Sequence, residues 1–176
     1  MKKPVKHYLK LTAILAISVC SNFNCSSTEG FIQTVDSVKN IYIVNIDAKT
    51  TTNKNPLSLE LKAGNYTISV IGINEGGQYN AWKPWFKLYR VKTNKNGEWI
   101  KGWINKYSFS STEFPEVTIQ DNIIYETPET ALDNATDSKF TLVKKTFVQF
   151  YINDSPYIDN SGGISLYIVR TGDPAL

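Results

Sequence analysis

From residue 41 onward, apolar residues recur at alternate positions. Leu57, Leu59 and Leu61 alternate with Ser58, Glu60 and Lys62. Tyr66, Ile68 and Val70 alternate with Thr67 and Ser69, and Ile164, Leu166 and Ile168 with Ser165 and Tyr167. Successive side chains of a strand point to opposite faces, so this period predicts strands with one buried face. The turn-forming stretch Lys62-Ala63-Gly64-Asn65 predicts that the first two runs form a hairpin. Further strands are predicted over 41–48, 86–92, 103–109, 117–119 and 140–153, separated by turn-rich segments at 74–78, 93–97 and 155–163. One short helix is predicted over 128–134, with Thr127 as its cap and Pro128 in its first turn. Many short strands and little helix predict an all-β fold, an antiparallel β-sandwich.

The N-terminus has a different pattern. Lys2, Lys3, Lys6 and Lys10 precede the apolar or small run LTAILAISV at 11–19, and no acid is present. A basic segment followed by a short apolar one predicts a secretory signal peptide over 1–19, too short for a permanent membrane span. Ile17-Ser18-Val19-Cys20 resembles a bacterial lipobox. That resemblance implies a lipidated Cys20, with 20–30 as a tether from an outer membrane or cell surface to a domain over 31–176. The alternatives are a Cys20–Cys25 disulfide loop, or cleavage near Ala16-Ile17-Ser18 and release as a secreted protein.

The chain holds 19 basic and 16 acidic residues. Four of the lysines lie in the leader, which leaves 15 against 16. The exported part is close to neutral and carries no basic run, so nucleic acid is not an expected partner. The one histidine, His7, lies in the leader, and both cysteines precede residue 26. The domain therefore has no Ser-His or Cys-His nucleophile, no His-ligated zinc and no His general base. A paired-carboxylate hydrolase resembling a glycosidase is the enzymatic alternative, with Asp121 or Glu126 as its second carboxylate. No pair of acids is marked out for that work, so the expectation is a protein that is not an enzyme.

Residues 150–163 (FYINDSPYIDNSGG) collect Asp154, Asp159 and Asn160 in one loop. Calcium takes six to eight oxygen ligands from carboxylates, amides and bent backbone, and Pro156 with Gly162-Gly163 supplies bends. The other reading is a turn whose Asp and Asn side chains cap their own backbone. The segment resembles N-D-(4 to 6 residues)-[DN]-N-S-G, a motif of calcium-dependent galactose-binding bacterial lectins and related galactose-binding-domain-like jelly rolls. That resemblance implies Asp154, Asp159 and Asn160 as side-chain ligands and Tyr157, or Ile158, as a carbonyl ligand. Tyr79, on the loop after the strand ending at Gly72, would supply a second carbonyl. Asp154, Asp159, Tyr79 and Trp82 would then meet the sugar, with Trp82 exposed on the same glycine-rich loop. The galactose lectins hold their sugar with a histidine that this domain does not have. Ala81-Trp82-Lys83-Pro84-Trp85 and Gly102-Trp103-Ile104-Asn105-Lys106-Tyr107-Ser108 resemble a broader group of secreted bacterial sandwich domains.

The sequence thus leads to an exported, calcium-binding, carbohydrate-binding domain whose partner is a carbohydrate or glycoconjugate. The alternative is a surface or periplasmic interaction lipoprotein in which calcium is structural or absent.

Overall fold

The computed structural model describes residues 29–84, 90–92 and 99–174. The expected signal peptide, Cys20, Cys25, most of the expected tether, Trp85 and the expected turn at 93–97 lie outside the described residues. The strand expected over 86–92 is described from Arg90.

Two antiparallel sheets face each other, as the alternating pattern predicts. The larger contains, in spatial order, β1 (Phe31–Asp36), β2 (Ile41–Asp47), β12 (Ser161–Gly172), β4 (Gly64–Ile71) and β10 (Ser138–Leu142). The two-residue β5 (Trp82–Lys83) pairs with the first residues of β12. The smaller sheet runs β3 (Leu57–Leu61), β11 (Thr146–Tyr151), β8 (Lys106–Ser111), β9 (Val117–Gln120). A separate ribbon pairs β6 (Arg90–Lys92) with β7 (Trp99–Lys101). The helix α1 (Pro128–Asp133) begins at Pro128 as expected, and the Thr127 side chain accepts the Thr130 N–H. Among the described residues no helix is long and apolar enough to cross a membrane.

The core lies between the sheets. Val44, Ile46, Ile68, Ile164, Leu166 and Ile168 come from the larger sheet, and Leu61, Phe109, Val148 and Phe150 from the smaller. Phe109 sits among aromatic rings. Its centroid lies 5.5 Å from that of Phe140, 5.7 Å from Phe114, 6.2 Å from Phe150 and 6.3 Å from Tyr107. Offset and edge contacts of this kind add to the area that each ring buries.

Two expectations are corrected. The runs at 57–61 and 66–70 are not a hairpin: β3 pairs with β11, whereas β4 pairs with β12 and β10. The chain crosses between sheets at Lys62–Ala63, where the Arg170 Nε donates to the Ala63 carbonyl at 2.9 Å. Gly64 permits that crossing, since a β-carbon there would lie 3.0 Å from the Gly172 carbonyl and collide with the Arg170 side chain. The run at 140–153 is likewise two strands, β10 and β11, one in each sheet. They are joined at Val143–Lys145, where Glu113 accepts the N–H groups of Val143 and Lys144.

Phe109→Ala removes the ring at the centre of this cluster. The expected loss is about 3–5 kcal/mol of unfolding free energy. Urea denaturation of the variant reads it, and a loss near zero would mean that the cluster does not hold the sheets together.

Candidate functional site

Antiparallel pairing brings five strand ends, and the four loops they bound, to one end of the sandwich. β2 ends there at Asp47 and β4 at Ile71, β11 ends at Tyr151, β8 begins at Lys106 and β12 begins at Ser161. The loop from Gly72 to Ala81 folds over the outer face of the larger sheet. Its anchor is polar. The Ser165 Oγ donates to Asn45 Oδ1 at 2.7 Å and accepts the Gln78 and Tyr79 N–H groups, each at 2.9 Å. Asn45 Oδ1 also accepts the Gln78 N–H. Asn45 and Ser165 are fully buried although they face away from the core, because this loop covers them.

Asp47 is buried in the same region. Its Oδ1 accepts the N–H groups of Lys49 and Thr50 and the Thr50 hydroxyl, and its Oδ2 accepts the Tyr79 hydroxyl at 3.1 Å. A buried carboxylate needs donors of this kind in place of water. The next residue, Ala48, gives its N–H to the Gly162 carbonyl and accepts the Asn160 side-chain amide at 3.0 Å. Tyr79 and Asn160, far apart in sequence, are thus joined to consecutive residues of one turn. Gly162 completes the arrangement: its φ of 82° lies in the left-handed region, and a β-carbon would stand 2.5 Å from the Ala81 carbonyl.

The loop at 153–160 springs from this base. The Ile152 N–H donates to the Thr51 carbonyl, and the Asn153 side chain donates to Glu116 Oε1. That hydrogen bond, first among several, holds the Glu116 carboxyl below its ordinary range. The Asn160 N–H closes a turn on the Tyr157 carbonyl at 3.2 Å. Asn160 is 1% exposed and Asp159 half-buried. The Oδ1 atoms of both are buried without a hydrogen-bond partner. Two neighbouring orphaned acceptors, one of them a carboxylate oxygen, are the donor chemistry that a hard cation takes. This is the observation on which the calcium expectation fits. No group of three or more His, Cys, Asp or Glu side chains gathers into a metal site among the described residues. The set expected here has only two carboxylates and draws its other oxygens from an amide and the backbone.

Asp154 is half-buried, and Tyr157 and Ile158 are exposed at 45% and 77%. The expected exposure of Trp82 is corrected. Trp82 is 1% exposed, its indole N–H donates to the Lys106 carbonyl at 2.8 Å, and its backbone pairs with Gly162 and Ile104. It is a core residue with no ring face for a sugar. Sequence reasoning also passed over Asp47. The Asp-Ala-Lys-Thr run at 47–50 has the composition of an Asx turn, the one signal that could have drawn attention to Asp47. Neither a family model, nor a curated protein, nor a solved structure matches this chain, so the lectin resemblance stands on the loop residues alone.

The phenols at this end are held neutral. Burial, and then the Asp47 carboxylate, push the Tyr79 hydroxyl far up. Burial pushes Tyr107, whose hydroxyl meets Ser138 Oγ, up to about 12. Burial and the hydrogen bond to Asp121 push Tyr125 up to about 12. A folded-state pKa above the unfolded value of 10.0 gives stability that is complete below pH 10 and is lost as pH rises through the folded value. Unfolding free energies should therefore fall between pH 10 and 12. Tyr107→Phe/Tyr125→Phe should show a shallower fall over that window, and equal slopes would remove these phenols as its cause.

Proposed function

We propose that this chain is an exported, calcium-binding carbohydrate-binding protein that is not an enzyme. The carrying observation is that the consecutive residues Asp159 and Asn160 each have a buried, unpartnered side-chain oxygen. Leaving two such acceptors unpaired costs about 1–3 kcal/mol each, and a cation removes that cost. Asp154, Asp159 and Asn160 would hold it by their side chains, and Tyr157 by its carbonyl. The Tyr79 hydroxyl is held by Asp47, beside the Ala48 that holds Asn160, and the lectin resemblance gives the Tyr79 carbonyl the remaining ligand position.

When bound, calcium supplies open coordination positions that vicinal sugar hydroxyls can fill. The chain's own part is to hold the ligand oxygens in place. The amide of Asn160 is fixed by Ala48, and the start of the loop is fixed by Thr51 and Glu116. With Trp82 in the core, Tyr157 and Ile158 are the exposed apolar side chains of this loop that can touch a sugar ring. Export through the 1–19 leader, and tethering through Cys20, complete the proposal.

Calcium should raise the thermal midpoint of the purified protein, and a chelator should reverse the rise. A ligand that binds only the folded state stabilises it by about 2.7 kcal/mol at a hundredfold excess over its dissociation constant. Asp159→Ala and Asp154→Ala should abolish the response, and a glycan array should show calcium-dependent binding by the native chain alone. A midpoint indifferent to calcium would make Asp154, Asp159 and Asn160 ordinary turn residues.

A further inference from the structure

The end of the sandwich that carries the cation loop also exposes apolar side chains from two further loops. Gln120, at the end of β9, pairs with Lys106, at the start of β8, so the loop at 121–127 lies at this end too. The loop after β4 exposes Ile73 at 58%, the loop after β9 exposes Ile123 at 53%, and the loop after β11 exposes Ile158 most of all. A single exposed isoleucine needs no explanation, but one on each of three loops at one end marks a contact surface. None of the three stands in a strand, so the alternation of a sheet does not account for their exposure.

The charge around them has one sign. Residues 72–81, 121–127 and 153–160 carry five acids, Glu75, Asp121, Glu126, Asp154 and Asp159, and no lysine or arginine. The opposite end also exposes apolar residues, Val38 and Val143, but in turns with Lys39, Lys144 and Lys145 beside them. Apolar side chains among carboxylates suit a partner with cations outermost and hydrocarbon beneath. Phosphatidylethanolamine has that order, since its ammonium lies outside its phosphate and its acyl chains lie below both. An anionic lipid surface, which attracts basic segments, would repel these acids.

The entry of the chain selects a membrane over another partner. Gly30, which leads into β1, lies beside Asn45, Asp47 and Thr51 at this same end. It follows Cys20 by ten residues. We propose that this end of the domain docks on a phosphatidylethanolamine surface, with Ile73, Ile123 and Ile158 entering the interface and the loop carboxylates facing the ammonium groups. The choice of partner rests on the export and tethering proposed above, and not on the cation.

Spin labelling of the full chain tests this. Cys20→Ser/Cys25→Ser removes both native thiols, and the lipid anchor with them. In that background a nitroxide is placed at Ile158→Cys, at Ile123→Cys or, as a control at the opposite end, at Val38→Cys, which is 88% exposed. Collisions with a water-soluble nickel chelate are then measured in calcium-free buffer, in solution and on vesicles of phosphatidylethanolamine and phosphatidylcholine. The vesicles should cut the collision rate severalfold at 158 and 123 and leave it unchanged at 38, even where the leader itself holds the chain on the vesicle. Phosphatidylglycerol in place of phosphatidylethanolamine should restore most of the collisions. The inference is overturned if the label at 158 or at 123 stays as open to the chelate on vesicles as in solution, or if the label at 38 is protected as strongly. It is overturned equally if phosphatidylglycerol vesicles protect position 158 as well as phosphatidylethanolamine vesicles do. Failure of the calcium response would leave these outcomes untouched, and Cys20→Ser makes them independent of lipidation.

Discussion

A strand in the middle of a sheet must satisfy its backbone along both edges, and β12 carries that requirement for the whole molecule. It pairs with β2 on one side and with β4 on the other over most of its twelve residues. Its first residues also take β5, the Ala48 turn and the Gly72–Ala81 loop. Buried N–H and C=O groups left unpaired are costly, so these loops have little freedom to settle elsewhere. The 153–160 loop leads into the same strand at Ser161. The candidate cation loop is therefore mounted on the most constrained segment of the fold, although its own tip is exposed.

The domain beyond Cys25 has no cysteine, so its packing must suffice without disulfides. The aromatic cluster around Phe109 serves between the sheets. At the loop end the same task falls to buried polar groups: Asp47 with its four donors, and Ser165 with Asn45. Such groups are sensitive to the loss of one partner, because the other is then buried alone. Asp159 and Asn160 depart from this pattern on the 153–160 loop, as Gln78 and Asn105 do elsewhere, each with a buried oxygen that has no hydrogen-bond partner. Asp47, Asn45 and Ser165 are matched by donors close at hand, whereas these two loop oxygens are not.

Much of the fold was legible. Period-two alternation marked β3, β4 and the middle of β12, the runs at 41–48 and 117–119 marked β2 and β9, and Thr127-Pro128 marked the start of α1. Sheet membership was not legible. Leu57–Leu61 and Tyr66–Val70 each bury one face against the same core, so their alternation is identical whether they pair or oppose one another. The break between β10 and β11 was hidden because Val143, exposed in the turn, continues the apolar run. β1 was missed because its mostly exposed edge position leaves little alternation to read. Trp82 was misjudged for a related reason. A glycine-rich neighbourhood suggests a surface loop, but two residues of strand pairing on β12 turn the indole inward. Asp159 and Asn160 could be found because their spacing resembles a known motif. Asn105 could not, since a buried amide is distinguished only by the partners it meets after folding.

The position of Gly30 sets an orientation. The chain enters β1 beside Asn45, Asp47 and Thr51, at the same end of the sandwich as the Asn160 loop. A tether of about ten residues reaches no more than roughly 35 Å when fully drawn out. If Cys20 is the anchor, the domain hangs with its loop end turned toward the anchoring surface and close to it. For the sugar binding proposed above, the glycan would then be one rooted in that same surface, and a glycan on a facing cell would have to reach around the sandwich.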